Sequence, residues 1–206
     1  MTRFSHRNDH QLPYFFYHRK GVFTMNGEAM PIAYCVSCWE HQEAHVKESI
    51  HVLFPDVIVL IPQIERSEKH QGKWESRVVK LTPGYVFLFS YKPIPVEELT
   101  SISKVTRVLF YIESRVEGSL VIRTKVYPLK GEDKAFATWI YNNQGIIRIS
   151  TAKSQKGKQL TILSGPIKEL ETKIKRVDKH NRKVLVTNIF NKQELEIWLS
   201  FDWENT

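Results

Sequence analysis

Two cysteines among 206 residues are too few for a disulfide-stapled scaffold, and their scarcity fits a reducing cytoplasm. No apolar run approaches membrane-spanning length, because Lys, Glu, Gln or His interrupts every one. The N-terminus lacks an apolar segment followed by a small-residue cleavage site, so no secretory leader is predicted. Catalytic punctuation is missing too: there is no Gly-x-Ser-x-Gly elbow, no His-Glu-x-x-His pair and no Walker-type glycine loop. The paired acids Glu97/Glu98 and Glu132/Asp133 fall at predicted helix starts, where they complement the positive end of the helix dipole. The sequence therefore predicts no enzyme, no cofactor and no membrane partner. Internal repeats and low-complexity tracts are also absent.

What is present is enough apolar material for packed cores, 42% hydrophobic with 12% aromatic, and an uneven charge. The formal net charge is +8, yet residues 143–193 alone carry 12 Lys/Arg against 3 Asp/Glu. The whole excess lies in that segment, which points to a polyanion such as nucleic acid as its partner.

The first thirty residues, rich in His, Asn, aromatic and basic residues, show no sustained period and read as an extension dispensable for folding. Residues 32–37 then form a buried strand, and 40–52 a helix with Val46, Ile50 and Leu53 on one face and a Glu43–Lys47 i,i+4 pair. Pro55 stops it. Strands follow at 57–61, 78–81 and 85–89, with a charged hairpin or loop over 65–76. Residues 95–102 read as a short helix with Pro in its first turn, 105–112 as a strand, and 132–141 as a helix carrying Phe136, Trp139 and Ile140. This is an α+β unit spanning 31–142, an antiparallel sheet flanked by helices. A Gly/Lys/Ser-rich connection over 143–158 leads to short strands at 159–163, 173–177, 183–186 and 195–199. So many strands in 159–206 bury a core by closing into a small barrel, and the Val, Ile and Thr at their apolar positions favour strand over helix.

Cys35-Val36-Ser37-Cys38, followed by His41 and His45, could on paper hold zinc. Positions three apart on a strand point to opposite faces, however, and no distant second ligand pair exists. Core packing of Cys35 is the better reading. In Leu81-Thr82-Pro83-Gly84-Tyr85-Val86-Phe87 a Pro-Gly turn feeds a strand apolar on both faces. One face fills the core; the other either packs a helix or offers an apolar patch to a partner.

These residues carry a resemblance. Ala33-Tyr34-Cys35-Val36, Pro62 and Leu81–Phe87 are similar to the N-terminal (NGN) domain of the NusG transcription factors. Gly165-Pro166-Ile167-Lys168 resembles the opening of the family's KOW motif, with Thr172 where the family has Gly. The resemblance implies an NGN domain that grips the β′ clamp helices of RNA polymerase, linked to a C-terminal KOW β-barrel. By position it implicates Tyr34, Trp39, Pro83, Gly84 and Tyr85 in polymerase binding. It likewise implicates Ile189, Phe190 and Asn191 in binding the ribosomal protein NusE. Ala33 and Thr82 depart from the family's Trp and Phe and weaken the apolar contact. The run 175–183 most resembles the LoaP branch, whose members recognise a stem-loop in nascent RNA, and marks Lys175, Arg176, Lys179, Arg182 and Lys183 as RNA contacts. The expectation is a monomeric, cytoplasmic, specialised elongation factor acting as a processive antiterminator. The alternatives are a general NusG-like elongation factor and a KOW-containing, ribosome-associated RNA-binding protein.

Overall fold

The computed structural model describes residues 15–17, 22–24, 30–154 and 160–204. Residues 1–31 make a unit of their own, in which β1 (Phe15–Tyr17) pairs antiparallel with β2 (Val22–Thr24). The expectation that the first thirty residues are dispensable falls largely outside the described residues.

The second unit, residues 32–206, is built around β3 (Ile32–Cys38). Apolar side chains occupy both of its faces because both faces are covered. Helix α1 (Glu43–Leu53) buries Val46 and Ile50 and ends before Pro55. It starts three residues later than predicted because Gln42 closes a turn on Trp39 with His41 at positive φ. Leu53, expected on the buried face, is instead exposed. The chain continues as β4 (Ile58–Leu60), then β5 (Gln63–His70) and β6 (Lys73–Lys80). The charged stretch is thus a regular hairpin, turned by Gln71 and Gly72, both at positive φ as a two-residue hairpin turn requires. Next come β7 (Tyr85–Ser90), the short α2 (Val96–Ser101) and β8 (Val105–Val108). The sheet order β4-β7-β3-β8 is antiparallel throughout.

The predicted strand 105–112 divides. Leu109 gives its N–H to the Cys35 carbonyl, and the chain then leaves the sheet as a two-stranded ribbon, β9 (Tyr111–Glu117) and β10 (Leu120–Val126). Helix α3 (Gly131–Asn142) follows and buries Phe136, Trp139 and Ile140.

Two short strands lie inside the predicted connection. β11 (Ile146–Ile147) runs parallel to β5, and β12 (Ser150–Lys153) enters the C-terminal sheet. That sheet also holds β13 (Thr161–Ser164), β14 (Ile174–Asp178), β15 (Lys183–Phe190) and β16 (Gln193–Trp203), in the order β13-β12-β16-β15-β14. A 3₁₀ turn over Lys168–Lys173 links β13 to β14. The result is a strand-rich half-barrel beginning at residue 150, earlier than composition indicated.

The central sheet separates two cores. Tyr34, Val36, Val86 and Leu88 face α1 and α2. Ala33, Cys35, Phe87 and Phe89 share the other cluster with Phe136 and Ile140 of α3 and with Ile162, Val184, Phe190 and Phe201 of the half-barrel. Cys35 and Cys38 lie in these different clusters, as their strand spacing requires. Burial pushes the Cys35 thiol well above its ordinary range and Cys38 up to about 11. His41 and His45 are exposed, and among the described residues no group of three or more His, Cys, Asp or Glu could hold a metal.

Candidate partner-binding surface at the Pro-Gly turn

Thr82-Pro83-Gly84-Tyr85 is a tight turn: the Tyr85 N–H reaches the Thr82 carbonyl at 3.3 Å and Gly84 has φ of +78°. Pro before a residue at positive φ is the type II pattern. A side chain on Gly84 would also meet the Cys38 carbonyl at 3.2 Å, so glycine serves both the turn and the close approach. The Thr82 hydroxyl is buried without a hydrogen-bond partner.

A carboxylate fixes the turn from beneath. Glu43, 1% exposed, accepts from the Gly84 N–H at 2.7 Å and from Lys80 Nζ at 2.7 Å. The sequence reading paired Glu43 with Lys47 on the helix surface; instead it points inward and ties α1 to the turn. Burial alone would raise its pKa, but Lys80 and the Gly84 N–H more than offset that and hold it below the ordinary carboxylate range. A depressed folded-state pKa contributes stability above the unfolded value, about 4.3, and that stability is lost as pH falls through the folded value. Glu43→Gln should therefore cost about 1–3 kcal/mol near neutrality. In urea titrations the gap to wild type should hold at neutral pH and narrow as pH falls below about 4.3 and through the folded value. A gap constant with pH would refute the ionised-carboxylate role.

Above the turn lies an aromatic socket, and it is occupied. Phe190 of β15 sits 5.1 Å from Tyr85, 5.3 Å from Phe87 and 5.2 Å from Phe136, ring centre to ring centre. Asn191 reinforces the plug: its N–H donates to Asp133 Oδ1 at 2.7 Å, and its Nδ2 reaches the Tyr85 hydroxyl at 3.4 Å. Asp133, at the start of α3, also accepts from the Tyr111 hydroxyl at 2.6 Å. Burial, then that carboxylate, hold the Tyr111 phenol well above its usual range. Asp133, read from sequence as dipole compensation alone, is a buried clasp joining α3, the ribbon and the half-barrel.

The seam extends both ways. Trp139 Nε1 donates to the Pro166 carbonyl at 3.3 Å, and Asn142 and Asn143 reach Glu169. Burial raises the Glu169 pKa against those two amides. On the other flank the Ser67 N–H donates to Ser200 Oγ at 3.0 Å.

The structure sorts the sequence candidates. Trp39 is 60% exposed with Lys104 Nζ 4.7 Å above its ring, Pro83 is exposed, and Tyr85 is half-buried under Phe190. Tyr34 is a core residue: it is 2% exposed, and its hydroxyl accepts from the Ile94 N–H. Phe190 is 6% exposed, whereas its neighbour Ile189 remains 44% exposed. Of the basic candidates, Lys175, Arg176 and Lys179 lie on the surface. Arg182 and Lys183 turn inward instead. Arg182 pairs with Asp202 at 2.9 Å and stacks 4.3 Å over Trp74, and Lys183 faces Glu68 at 4.0 Å. Both lie between the β5–β6 hairpin and the half-barrel, a placement no local pattern announces.

The family model described as "Transcription termination factor nusG" matches residues 34–133, from β3 to the first turn of α3. Residues 34–133, a little under half of the chain, are thus similar to this family. A solved structure described as "Domain interaction in Thermotoga maritima NusG" is similar at 18% identity and a TM-score of 0.45, over 82% of this chain and 93% of that one. No match was found among curated protein sequences. The matched residues hold the antiparallel sheet with its helices, and the strand-rich half-barrel follows them in the chain. Nothing in these matches separates the LoaP branch from the rest of the family. No helix among the described residues is long and apolar enough to cross a membrane.

Proposed function

We propose that this NusG-like chain is a non-enzymatic elongation factor that docks on RNA polymerase through the socket beside the Pro-Gly turn, and that it acts as a processive antiterminator of the LoaP type. The observation that carries the reading is the socket itself: Tyr85, Phe87 and Phe136 form a ready-made receptor for an apolar side chain, filled in the free chain by Phe190. A protruding apolar residue of the β′ clamp helices is the occupant the family resemblance supplies, with Trp39 and Pro83 as the exposed rim. A factor that binds the elongating conformer better than the paused one favours elongation by that difference in affinity. The decisive assay is terminator read-through in vitro with purified polymerase, with and without leader RNA. Wild type should raise read-through, and Tyr85→Glu should abolish the effect. Equal read-through by both proteins would remove the socket from the mechanism.

The surface group Lys175, Arg176 and Lys179 suits contact with RNA phosphates, which position a nucleic acid more than they read it. Replacing all three with Ala should weaken leader-RNA binding and reduce the slope of log affinity against log salt by about 2, at roughly 0.7 per phosphate contact. An unchanged slope would place the RNA elsewhere. The general NusG-like factor is the second reading, favoured by the family match itself; read-through indifferent to leader RNA would select it. NusE binding through Ile189, Phe190 and Asn191 requires Phe190 to leave the socket first. Ribosome co-sedimentation without polymerase would favour the ribosome-associated alternative. We take the chain to act as a monomer in the cytoplasm.

A further inference from the structure

Between the β5–β6 hairpin and the half-barrel lies a cleft of about 240 Å³ lined by Arg66, Asp178, Asn181, Lys183 and Trp198. Its composition is unusual for a seam between packed elements. Arg66 carries a buried Nε with no hydrogen-bond partner, although a guanidinium leaves no donor unused without cost. Lys183 Nζ lies 4.0 Å from Glu68 Oε1. Trp198 is half-buried, and an indole exposed in a cleft is a stacking platform for a flat ring. Asp178 and Asn181 form a rigid polar edge, joined at 2.9 Å through the Asn181 N–H and at 2.8 Å through its Nδ2. Those bonds hold the Asp178 carboxyl below its usual range. Asp178 ends β14, the strand that also carries the exposed cations Lys175 and Arg176, and Lys179 follows it in the turn; Lys175 itself lines a separate cleft with Lys173 and Lys192.

From this juxtaposition we infer a pocket for one unpaired nucleotide of a bound RNA strand. Its base stacks on Trp198, its edge meets Asp178 and Asn181, and its phosphate meets Arg66 and Lys183. The inference rests on the RNA reading above and adds a preference for single-stranded over paired nucleotides, since a base held in a helix presents no free face to an indole. Arg66 comes from the NusG-like domain and the other four residues from the half-barrel, so the pocket is complete only while Ser67 and Ser200, and Trp74 and Arg182, hold the two together. The hairpin would thereby take part in RNA binding, a role its charged sequence does not announce.

The test uses the full chain and a fluorescently labelled, unstructured 12-nucleotide RNA, read by anisotropy across a salt series. Trp198→Leu and Arg66→Gln should each weaken binding about tenfold or more. Trp198→Leu should leave the salt slope unchanged, because stacking releases no counterions, and Trp198→Phe should restore most of the affinity. Thermal unfolding of each variant separates lost binding from lost folding. If Trp198→Leu binds like wild type while the Lys175/Arg176/Lys179→Ala protein binds more weakly, the pocket is refuted and the RNA reading stands. If wild type does not bind this unstructured RNA, the pocket is refuted, and titration with the leader RNA then decides the RNA reading by itself. A Trp198→Phe protein as weak as Trp198→Leu would also overturn the stacking role.

Discussion

Phe190→Ala is expected to free the socket proposed above to dock RNA polymerase. The ring is almost wholly buried among Tyr85, Phe87 and Phe136, and truncating a buried Phe costs about 3–5 kcal/mol. A neutral hydrogen bond along the seam contributes less, about 0.5–1.5 kcal/mol net, and one ending on the Asp133 carboxylate about 1.5–3 kcal/mol. The loss should fall mainly on the closed arrangement. The Asn191 amide should lose hydrogen-exchange protection, and Tyr85 should become accessible. If the open form is about 1% populated in wild type, apparent affinity for polymerase core enzyme is reduced by that fraction. The variant should then bind up to about 100-fold more tightly. Titrating labelled wild-type and variant chains with core enzyme reads this directly. A variant that is less stable but binds no better would mean that the socket under Phe190 is not where polymerase docks.

The second large effect concerns folding of the half-barrel. Gly165 has φ of +94°, and a Cβ placed there would lie 2.6 Å from Ser150 Oγ, 2.7 Å from its Cα and 2.9 Å from its Cβ. Two of those atoms are held by the β12 strand and cannot swing away. Ser150 Oγ is engaged as well, accepting from the Ile167 N–H at 3.1 Å. Gly165→Ala therefore combines an unfavourable backbone conformation, about 1–3 kcal/mol, with overpacking against backbone of a similar size. A loss of about 2–5 kcal/mol is expected in denaturant unfolding, against about 1–2 kcal/mol for Gly118→Ser in the ribbon turn, where φ is +61° but nothing lies within 4 Å, so only the backbone cost applies. A Gly165→Ala shift below about 0.5 kcal/mol would show that β12 can move away from the turn, contrary to its double pairing with β13 and β16.

Both predictions depend on features unequally visible in the chain. The turn at 82–85 was legible because Pro-Gly dictates its own geometry, whereas Gly165-Pro166 stood out only through its resemblance to the opening of the KOW motif. Elements with strong local periodicity, β3, β7 and α3, were legible for the same reason: their side-chain pattern repeats at the period of the backbone. The ribbon 111–126 was missed because aliphatic and charged residues share both of its faces, so alternation gives no inward side. β11 and β12 were hidden because strands of two and four residues acquire identity only from their partners, β5, β13 and β16.

Residue chemistry alone determined that this chain carries an α+β domain with a Pro-Gly turn, a strand-rich basic C-terminal block and no catalytic motif. These properties follow from interactions between near neighbours, which the order of residues states directly. Only the tertiary structure decided what covers each face of β7, that Phe190 is part of that cover, that Glu43 and Asp133 turn inward, and that Arg182 and Lys183 belong to a seam. Those outcomes join distant residues, 106 positions apart from Tyr85 to Asn191 and farther still from Glu68 to Lys183. Burial and hydrogen-bond pairing at such separations depend on how whole layers pack, which no local pattern encodes.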